Sequence, residues 1–299
     1  CLVTLGKTKV LIQTSYKIEE PREIRPMEGR HRIRIDESTA GIYEDMKNLK
    51  TEANRNDPFS EIKALLEQAF IKSKCLDLES LCIRAGSNCF TVESRLSILS
   101  DDGALDDCCS IAVAVGLKHF RLPTAIVRGD SVTLDNSVTK RLSIYHLPFL
   151  VLFATFPQDV FHSINCNLGN RSVNKISTNV SSWNVSNSIG DLVLDPTKIE
   201  SKLSSGTITL AINKHNELCG MKTTGGICLV MFDIQRVYKL ALDLVRGVVS
   251  PALERALDPE TFVDKFNFDV VLTNISNGHK LELMPHCGPL KKFMCGIPA

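Results

Sequence analysis

The sequence predicts an α+β protein made of two similar lobes, each with strands, a loop, further strands and a helix. The first observation is the pattern of residues 98–120. It begins with the end of a strand, is followed by a turn at Asp-Asp-Gly and continues as a helix that is apolar on nearly every side. Such a helix is typically buried between layers. The second is the apolar run 146–156, which has the length of a buried strand. The third is the helical spacing of apolar residues over 232–257.

The first lobe is predicted over residues 1–140. Its patterns indicate a hairpin over 2–16, a second over 78–99, and a third that turns at 128–130. An apolar stripe from Ile62 to Phe70 predicts a helix, with Ser60 as its N-cap.

The second lobe is predicted over residues 141–256. It begins with the apolar strand, carries a polar insertion rich in Ser and Asn at 157–190, and continues with a hairpin around 213–216 and the long helix. Residues 257–299 form an extension of unassigned role. The pattern begins in mid-strand without a signal peptide, so we expect that residues precede Cys1 in the natural protein.

Composition excludes few functions. The chain is 43% hydrophobic and 23% charged, with a formal net charge of +1. Any contact with nucleic acid must therefore come from local clusters of basic residues. No apolar run reaches the roughly 18–20 residues of a membrane span, so we expect no membrane partner.

The cysteine pattern favours buried thiols over ligands. There are 11 cysteines but no CxxC sequence, which is a weak pattern for zinc. Cysteines within apolar segments of a chain without a secretion signal are usually reduced and packed as small hydrophobic residues. We expect no metal and no cofactor.

Two groups of basic residues are candidates for binding. Arg30, Arg32 and Arg34 alternate along one face of a predicted strand. They are either a solvated edge or a stripe that contacts phosphate or a partner. Lys72 and Lys74 follow the first helix, where cations stabilise the helix dipole.

Four carboxylates stand at the entrance of the buried helix, namely Asp101, Asp102, Asp106 and Asp107. A helix N-terminus attracts phosphate only if no negative group already occupies it. Asp107 or the Asp102-Gly103 turn is expected to cap this helix. A metal-dependent hydrolase is an alternative, which requires the four acids to converge.

Several motifs, in order along the chain, resemble those of the RNase PH family and, within it, ring subunits of the eukaryotic RNA exosome. They are Gly6-x-Thr8-x-Val10, Arg25-Pro26-x-Glu28-Gly29, SKCLDLESLCIRAG at 73–86, the run from DG to HFRLP at 102–123, LSIYHLP at 142–148, LDPT at 194–197, NKHNELC at 213–219 and Gly225-Gly226. The resemblance covers most of residues 1–250 and excludes the insertion and the extension.

The resemblance implies an RNase PH-like fold with two βαβα lobes, the first similar to domain 2 of ribosomal protein S5. It also implies a hetero-hexameric ring with other RNase PH-like subunits, cap subunits and RNA as partners, located in nucleus, nucleolus and cytoplasm. The basic candidates Arg30, Arg32, Arg34, Lys72 and Lys74 would contact RNA or neighbouring subunits. Active family members cleave the RNA 3′ end with inorganic phosphate.

The residues that this chemistry needs are missing. Active members resemble one another in a Gly-Ser/Thr-Arg loop, and the matching positions here are Ala104, Leu105 and Asp106. The acids expected after the LDPT segment fall on Ser201 and Thr207. We therefore predict a non-catalytic subunit that supports 3′-to-5′ RNA processing and degradation. The alternative is an active phosphate-dependent exoribonuclease.

Overall fold

The computed structural model describes residues 1–36, 58–128, 131–156, 191–226 and 231–257. The predicted insertion at 157–190 and all but the first residue of the predicted extension at 257–299 lie outside these ranges, as does the tip of the third hairpin. The boundaries of the two lobes remain a prediction.

The first sheet contains β1 (Leu2–Leu5), β2 (Thr8–Glu19), β3 (Arg30–Asp36), β4 (Cys82–Arg84) and β5 (Asn88–Ser100). Its order is β1-β2-β5-β3, and β4 also pairs with β5. The β1–β2 and β4–β5 pairs are antiparallel, which confirms the first two predicted hairpins, while β3 runs parallel to β5. Successive side chains of β2 and β5 point to opposite faces of the sheet. One face is directed toward a helix, and the other carries charged side chains.

The first helix, α1 (Pro58–Leu66), continues as a π-helical turn over Glu67–Lys72. Its apolar stripe is buried, as the sequence predicts. The described part of the helix already includes Pro58 and Phe59, so Ser60 lies inside the helix. The prediction that Ser60 is the N-cap is therefore wrong.

The second helix, α2 (Leu105–His119), lies between the two sheets, as predicted. It packs against β2 on one side and against β8 (Pro148–Phe156) on the other. Gly116 permits the close approach to β2, since a Cβ there would lie 2.8 Å from Ile12 Cδ1. On the opposite side, the Ser110 hydroxyl accepts a hydrogen bond from the Leu150 N–H at 3.0 Å.

Besides β8, the second sheet contains β9 (Asp191–Leu194), β10 (Gly206–Asn213) and β11 (Leu218–Gly225), and the short helix α3 (Lys198–Leu203) joins β9 to β10. The strand order is β11-β10-β8-β9. The antiparallel β10–β11 pair and the fully buried β8 confirm the predicted hairpin and strand. The predicted long helix is α4 (Met231–Leu244), a π-helical turn over Val245–Val249 and α5 (Ser250–Leu257).

A two-stranded ribbon, β6 (Arg121–Arg128) with β7 (Ser131–Arg141), stands apart from both sheets and confirms the third hairpin. The two sheets share one apolar core through α2. Within the described ranges, no helix combines the length and the apolar character needed to cross a bilayer.

Candidate phosphate loop and charged sheet face

Thr8, at the start of β2, anchors the loop that precedes α2. Its hydroxyl accepts a hydrogen bond from the N–H of Asp102 at 3.0 Å and donates one to the carbonyl of Gly103 at 2.7 Å. The Asp101 carboxylate accepts the Gly103 N–H at 3.1 Å and lies 3.0 Å from Nζ of Lys198. The loop is thus held by the protein's own polar groups.

The same loop abuts the segment after β9. Gly103 has φ +121°, and a Cβ there would lie 2.2 Å from the Pro196 carbonyl oxygen. Gly103 also forms a bridge with Thr197, and the Lys198 N–H donates to the Asp102 carbonyl at 2.7 Å. Only glycine satisfies both the positive φ and the close approach of the backbone.

Helix α2 begins at Leu105, and its N-cap is Ala104, which is buried and left-handed with φ 44°. No side chain within the described ranges caps the helix. The prediction that Asp107 or the Asp102-Gly103 turn provides the cap is wrong, because Asp107 lies inside the first turn.

Asp107 is a buried carboxylate that forms no ion pair with a cation among the residues the structure describes. Burial raises its pKa well above the usual value, the charge of Asp195 raises it further, and a hydrogen bond with the Leu152 backbone acts in the opposite direction. Its Oδ1 has no hydrogen-bond partner among the described residues. The site therefore disfavours negative charge.

Asp106 stands where the resemblance places an arginine. The Thr209 hydroxyl donates to its Oδ2 at 3.3 Å. Burial raises the pKa of Asp106, and the ammonium of Lys222 acts in the opposite direction. Lys222 Nζ already lies 2.6 Å from Oε2 of Glu61. Beside Asp106, Leu105 packs against the core.

The two expected acid positions carry hydroxyls. Ser201 lies in α3, where its N–H donates to the Thr197 carbonyl at 2.8 Å, and Thr207 lies on β10 and hydrogen bonds across to β11. The nearest acid in sequence, Glu200, closes a capping box with Thr197. Asp195 occupies a left-handed turn position with φ 52°.

The acids at the helix entrance do not form a metal site. Among the residues that the structure describes, no three His, Cys, Asp or Glu side chains are grouped as metal ligands. Asp101 faces Lys198, and Lys7 Nζ lies 3.9 Å from Asp102. The requirement of convergence for metal-dependent hydrolysis is not met.

The predicted arginine stripe lies on β3, an edge of the described sheet, and each arginine faces a carboxylate. Glu19 Oε2 lies 3.0 Å from Arg32 Nη2 and 3.9 Å from Arg30 Nη1. Arg34 Nε lies 2.9 Å from Glu93 Oε1, an ion pair without the alignment of a hydrogen bond. The solvated-edge interpretation fits these pairs, and contact with RNA or a partner stays a prediction.

Glu93 is the centre of this charged sheet face, which comprises the outward side chains of β2, β3 and β5. Its side chain is 2% exposed, with Lys17 at 3.3 Å and Arg95 at 3.7 Å. Burial acts to raise the pKa of Glu93, but the hydrogen bond from Lys17 and the charge of Arg34 outweigh burial and lower it. Sequence reasoning missed these residues, although the alternation of Glu93 and Arg95 along β5 was a usable signal.

The lysine candidates are placed differently from the arginines. Lys72 ends the π-helical turn, and Lys74 follows in a left-handed conformation with φ 56°. Both side chains are exposed. No carboxylate within the described part of the chain forms an ion pair with either one. They are therefore available to a polyanion, and their contact with RNA stays a prediction.

The sequence predicts that His119 and His146, which lie in apolar segments, are satisfied core or interface residues. His146 Nε2 lies 3.0 Å from the Ser73 carbonyl oxygen, but its buried Nδ1 has no hydrogen-bond partner among the described residues. His31, which the sequence did not single out, is a residue of β3 with a buried side chain, and its Nε2 lies 3.0 Å from the Ser94 hydroxyl. Burial lowers the pKa of His31 to about 4.

The two sheets around one buried helix and the loop at its entrance define an RNase PH-like α+β protein, as the sequence predicts. Residues 1–123 match the family model described as 3′ exoribonuclease family, domain 1, and residues 184–243 match domain 2 of that family. Exosome complex component rrp45 of Schizosaccharomyces pombe is 31% identical over 263 residues, covering 86% of this chain and 77% of the relative. The chain belongs to the 3′ exoribonuclease, or RNase PH, family.

Mammalian relatives are similar over most of this chain. Exosome complex component RRP45 of Homo sapiens is 31% identical over 282 residues, or 92% of this chain and 56% of the relative. The Bos taurus protein of the same name is 31% identical over 271 residues, or 89% and 53%. The chain thus spans little more than half the length of these relatives.

Solved structures show the same fold. A chain of the exosome of Archaeoglobus fulgidus with RNA bound to the active site aligns with a TM-score of 0.60 at 18% identity, covering 84% of this chain and 82% of that chain. A chain of an archaeal exosome core aligns with a TM-score of 0.58 at 18% identity, covering 85% and 80%. These likenesses confirm the predicted α+β, RNase PH-like fold.

Proposed function

We propose that this chain is a non-catalytic subunit of an RNA exosome ring that supports 3′-to-5′ RNA processing and degradation. Membership of the RNase PH family and similarity to relatives named as exosome components support this proposal. The partners are other RNase PH-like subunits in a hetero-hexameric ring, cap subunits and RNA. The complex operates in nucleus, nucleolus and cytoplasm.

The main evidence for a non-catalytic subunit is that acidic side chains stand at the entrance of α2, where phosphate would have to bind. Phosphorolysis places an anionic nucleophile beside an anionic RNA backbone, so it needs cationic or amide donors. Here Asp106 and Asp107 occupy the first helical turn. Three lysines near this entrance already face carboxylates: Lys198 faces Asp101, Lys222 faces Glu61 and Lys7 faces Asp102.

The size of the electrostatic energy also supports a non-catalytic subunit. One unit charge at about 4 Å is worth on the order of 4 kcal/mol at an effective dielectric constant near 20. Replacing an arginine by Asp106 reverses the sign of this contribution. Screening reduces the penalty, and burial raises the pKa of Asp106. Neither effect supplies the donors that a bound phosphate requires.

The second missing requirement is a pair of acids that holds Mg²⁺ or protonates the leaving oxygen. The expected positions are Ser201 and Thr207, and the hydroxyl of Thr207 is engaged with β11. Glu200 is committed to the N-terminus of α3. At the described positions that match the family's loop and acid pair, the side chains thus supply neither the phosphate donors nor the two acids.

A phosphorolysis assay tests the proposal. The purified full chain is incubated with 3′-ended RNA, Mg²⁺ and inorganic phosphate, and nucleoside diphosphates are quantified. We expect no release above that from a buffer blank. Release that co-elutes with the chain through size-exclusion chromatography would establish the alternative, an active exoribonuclease.

RNA contact is tested by charge reversal at the exposed lysines. Lys72→Glu with Lys74→Glu removes two cations that are open to a phosphate backbone. We expect weaker RNA binding and a salt dependence reduced by about one unit of log–log slope per lost phosphate contact. The matched control is Lys63→Glu, since Lys63 already lies 3.9 Å from Glu67 on the same helix. Equal effects of the two variants would refute a specific lysine contact.

A further inference from the structure

Two cysteines face each other across the β4–β5 hairpin. Cys82 of β4 is directly opposite Cys89 of β5 in the antiparallel register. Directly opposite residues of such a pair have Cα atoms about 4.5–5.5 Å apart. Disulfides span Cα separations of about 4.4–6.8 Å. Both thiols are free in this structure. From their register we infer that the two Cα atoms lie within the range that a disulfide spans.

The two thiols differ in access to solvent. Cys82 is partly exposed, whereas Cys89 is buried. Burial raises the pKa of the Cys89 thiol, and the guanidinium of Arg30 acts in the opposite direction. A soluble oxidant therefore meets Cys82 first, and Cys89 is positioned to resolve the product.

We propose that Cys82 and Cys89 form a reversible redox pair that closes a cross-strand disulfide when a low-molecular-weight disulfide such as glutathione disulfide accumulates. This site is independent of catalysis by the chain. It extends the sequence-based expectation of reduced thiols, because the pair is reduced at rest and oxidised only on exposure to the oxidant.

The chemistry balances in two exchange steps. The Cys82 thiolate attacks one sulfur of glutathione disulfide, forming a mixed disulfide and expelling one glutathione thiolate. The Cys89 thiolate then attacks Sγ of Cys82 and expels the second glutathione thiolate. The two protons lost by the cysteines are taken up by the two glutathione thiolates, so two protein thiols are oxidised and one glutathione disulfide is reduced.

The bridge would lie at the end of the charged sheet face. Strands β4 and β3 pair along the same edge of β5, with Cys89 in register with Cys82 and Thr91 in register with Arg30. Closing the disulfide would fix the end of β4 beside the first arginine of the stripe. Oxidation thus couples the redox state of the hairpin to the rigidity of this edge.

Peptide mapping tests the proposal on the full chain. The reduced protein is exposed to glutathione disulfide, alkylated under denaturing conditions and digested with trypsin. Cleavage after Arg84 separates the two cysteines, so a disulfide is needed to keep their peptides joined. Because the peptide 75–84 also contains Cys75, fragment-ion sequencing of the joined peptides then shows whether Cys82 or Cys75 carries the bridge. We expect the joined pair to be the main oxidised species and to disappear with dithiothreitol. Protein in which both cysteines remain alkylated, or carry glutathione only, would overturn the proposal.

Conservative variants separate the two roles. Cys89→Ser removes the resolving thiol, so the mixed disulfide at Cys82 should accumulate about tenfold over the wild type. Cys82→Ser should leave Cys89 unmodified because Cys89 is buried. Cys219→Ser, a change at another partly buried thiol, serves as the control and should leave the joined peptides unchanged. Equal glutathionylation of Cys89 in the Cys82→Ser variant would contradict the assigned order.

Discussion

The entrance of α2 and the charged sheet face both contain a buried carboxylate, but the surroundings of the two acids are opposite. Glu93 on the sheet face lies among Lys17, Arg34 and Arg95, and its pKa is lowered despite burial. Asp107 at the helix entrance is buried near Asp195, and its pKa is raised. The comparison shows that cationic neighbours, rather than burial alone, decide whether a region tolerates negative charge.

The largest expected effect concerns the backbone that shapes the helix entrance. Gly103→Ala places a Cβ 2.2 Å from the Pro196 carbonyl oxygen at a φ of +121°. We expect the free energy of unfolding to fall by about 3 kcal/mol or more. Urea denaturation measures this change.

The matched control is Gly86→Ala in the β4–β5 turn. Gly86 also has positive φ, at +75°, but a Cβ there would meet no atom within 4 Å. Only the conformational cost of about 1 kcal/mol is expected. Equal losses in the two alanine variants would show that the contact with Pro196 is unimportant.

The next effect is a pH dependence at the edge of the sheet. His31 is 6% exposed, and burial lowers its pKa from 6.5 to about 4. The unfolded chain therefore binds the proton first, so the contribution of His31 is complete above pH 6.5 and is lost as pH falls toward 4. The loss is about 3 kcal/mol, from roughly 1.4 kcal/mol per pKa unit.

Denaturation curves of the wild type and of His31→Gln, recorded between pH 4 and 7.5, isolate this contribution. The difference in stability between the two proteins should change steeply below pH 6.5. A constant difference across the series would contradict the assigned burial effect.

Neutralising a carboxylate on the sheet face should have a smaller effect. Glu93→Gln removes the charge that Lys17, Arg34 and Arg95 share, and we expect a loss of about 2 kcal/mol in the free energy of unfolding. Glu19→Gln is the control, because the Glu19 side chain is 28% exposed and its ion pairs are screened by solvent. Its loss should stay below about 1 kcal/mol, and the reverse ranking would refute the central role of Glu93.

The smallest expected effect is a gain in stability from a substitution at the entrance of α2. The pKa of Asp107 is higher in the folded protein than in the unfolded chain. The stabilising contribution of protonated Asp107 is therefore complete below the pKa of the unfolded chain and is lost as pH rises through the pKa of the folded protein. Asp107→Asn keeps an acceptor for the Leu152 N–H and cannot ionise. We expect it to raise stability at pH 7 by about 1 kcal/mol, with the gain shrinking toward pH 4. A loss that is independent of pH would contradict this account.

Periodicity in the sequence was sufficient to predict much of the fold. The apolar surface of α2 on all sides predicts burial between layers, because a surface helix needs a polar face. The alternation around the 85–88 turn predicts the β4–β5 hairpin, and the apolar run 146–156 predicts β8. Ser60 was assigned wrongly as the N-cap, because it lies inside a helix that already includes Pro58.

The sequence predicted which types of residue form the candidate site, but it did not predict which side chains surround them in the folded protein. The sequence places Arg30, Arg32 and Arg34 on one face, yet their pairing with Glu19 and Glu93 depends on strands that meet only in the folded sheet. Likewise, the sequence brings four acids to the helix entrance, but the orphaned Oδ1 of Asp107 follows from packing against β8. The pairing of strands that are distant in sequence therefore determines which side chains contact these residues, and local sequence patterns do not.

Phosphate binding at the entrance of α2 tests the central claim most directly. Backbone amide chemical shifts of residues 103–107 are followed as inorganic phosphate is added to the full chain, and to a variant with Leu105→Ser and Asp106→Arg that restores the cationic loop. The account predicts no saturable shift in the wild type and a binding curve at least about tenfold tighter in the variant. Saturable phosphate binding at these amides in the wild type would contradict it.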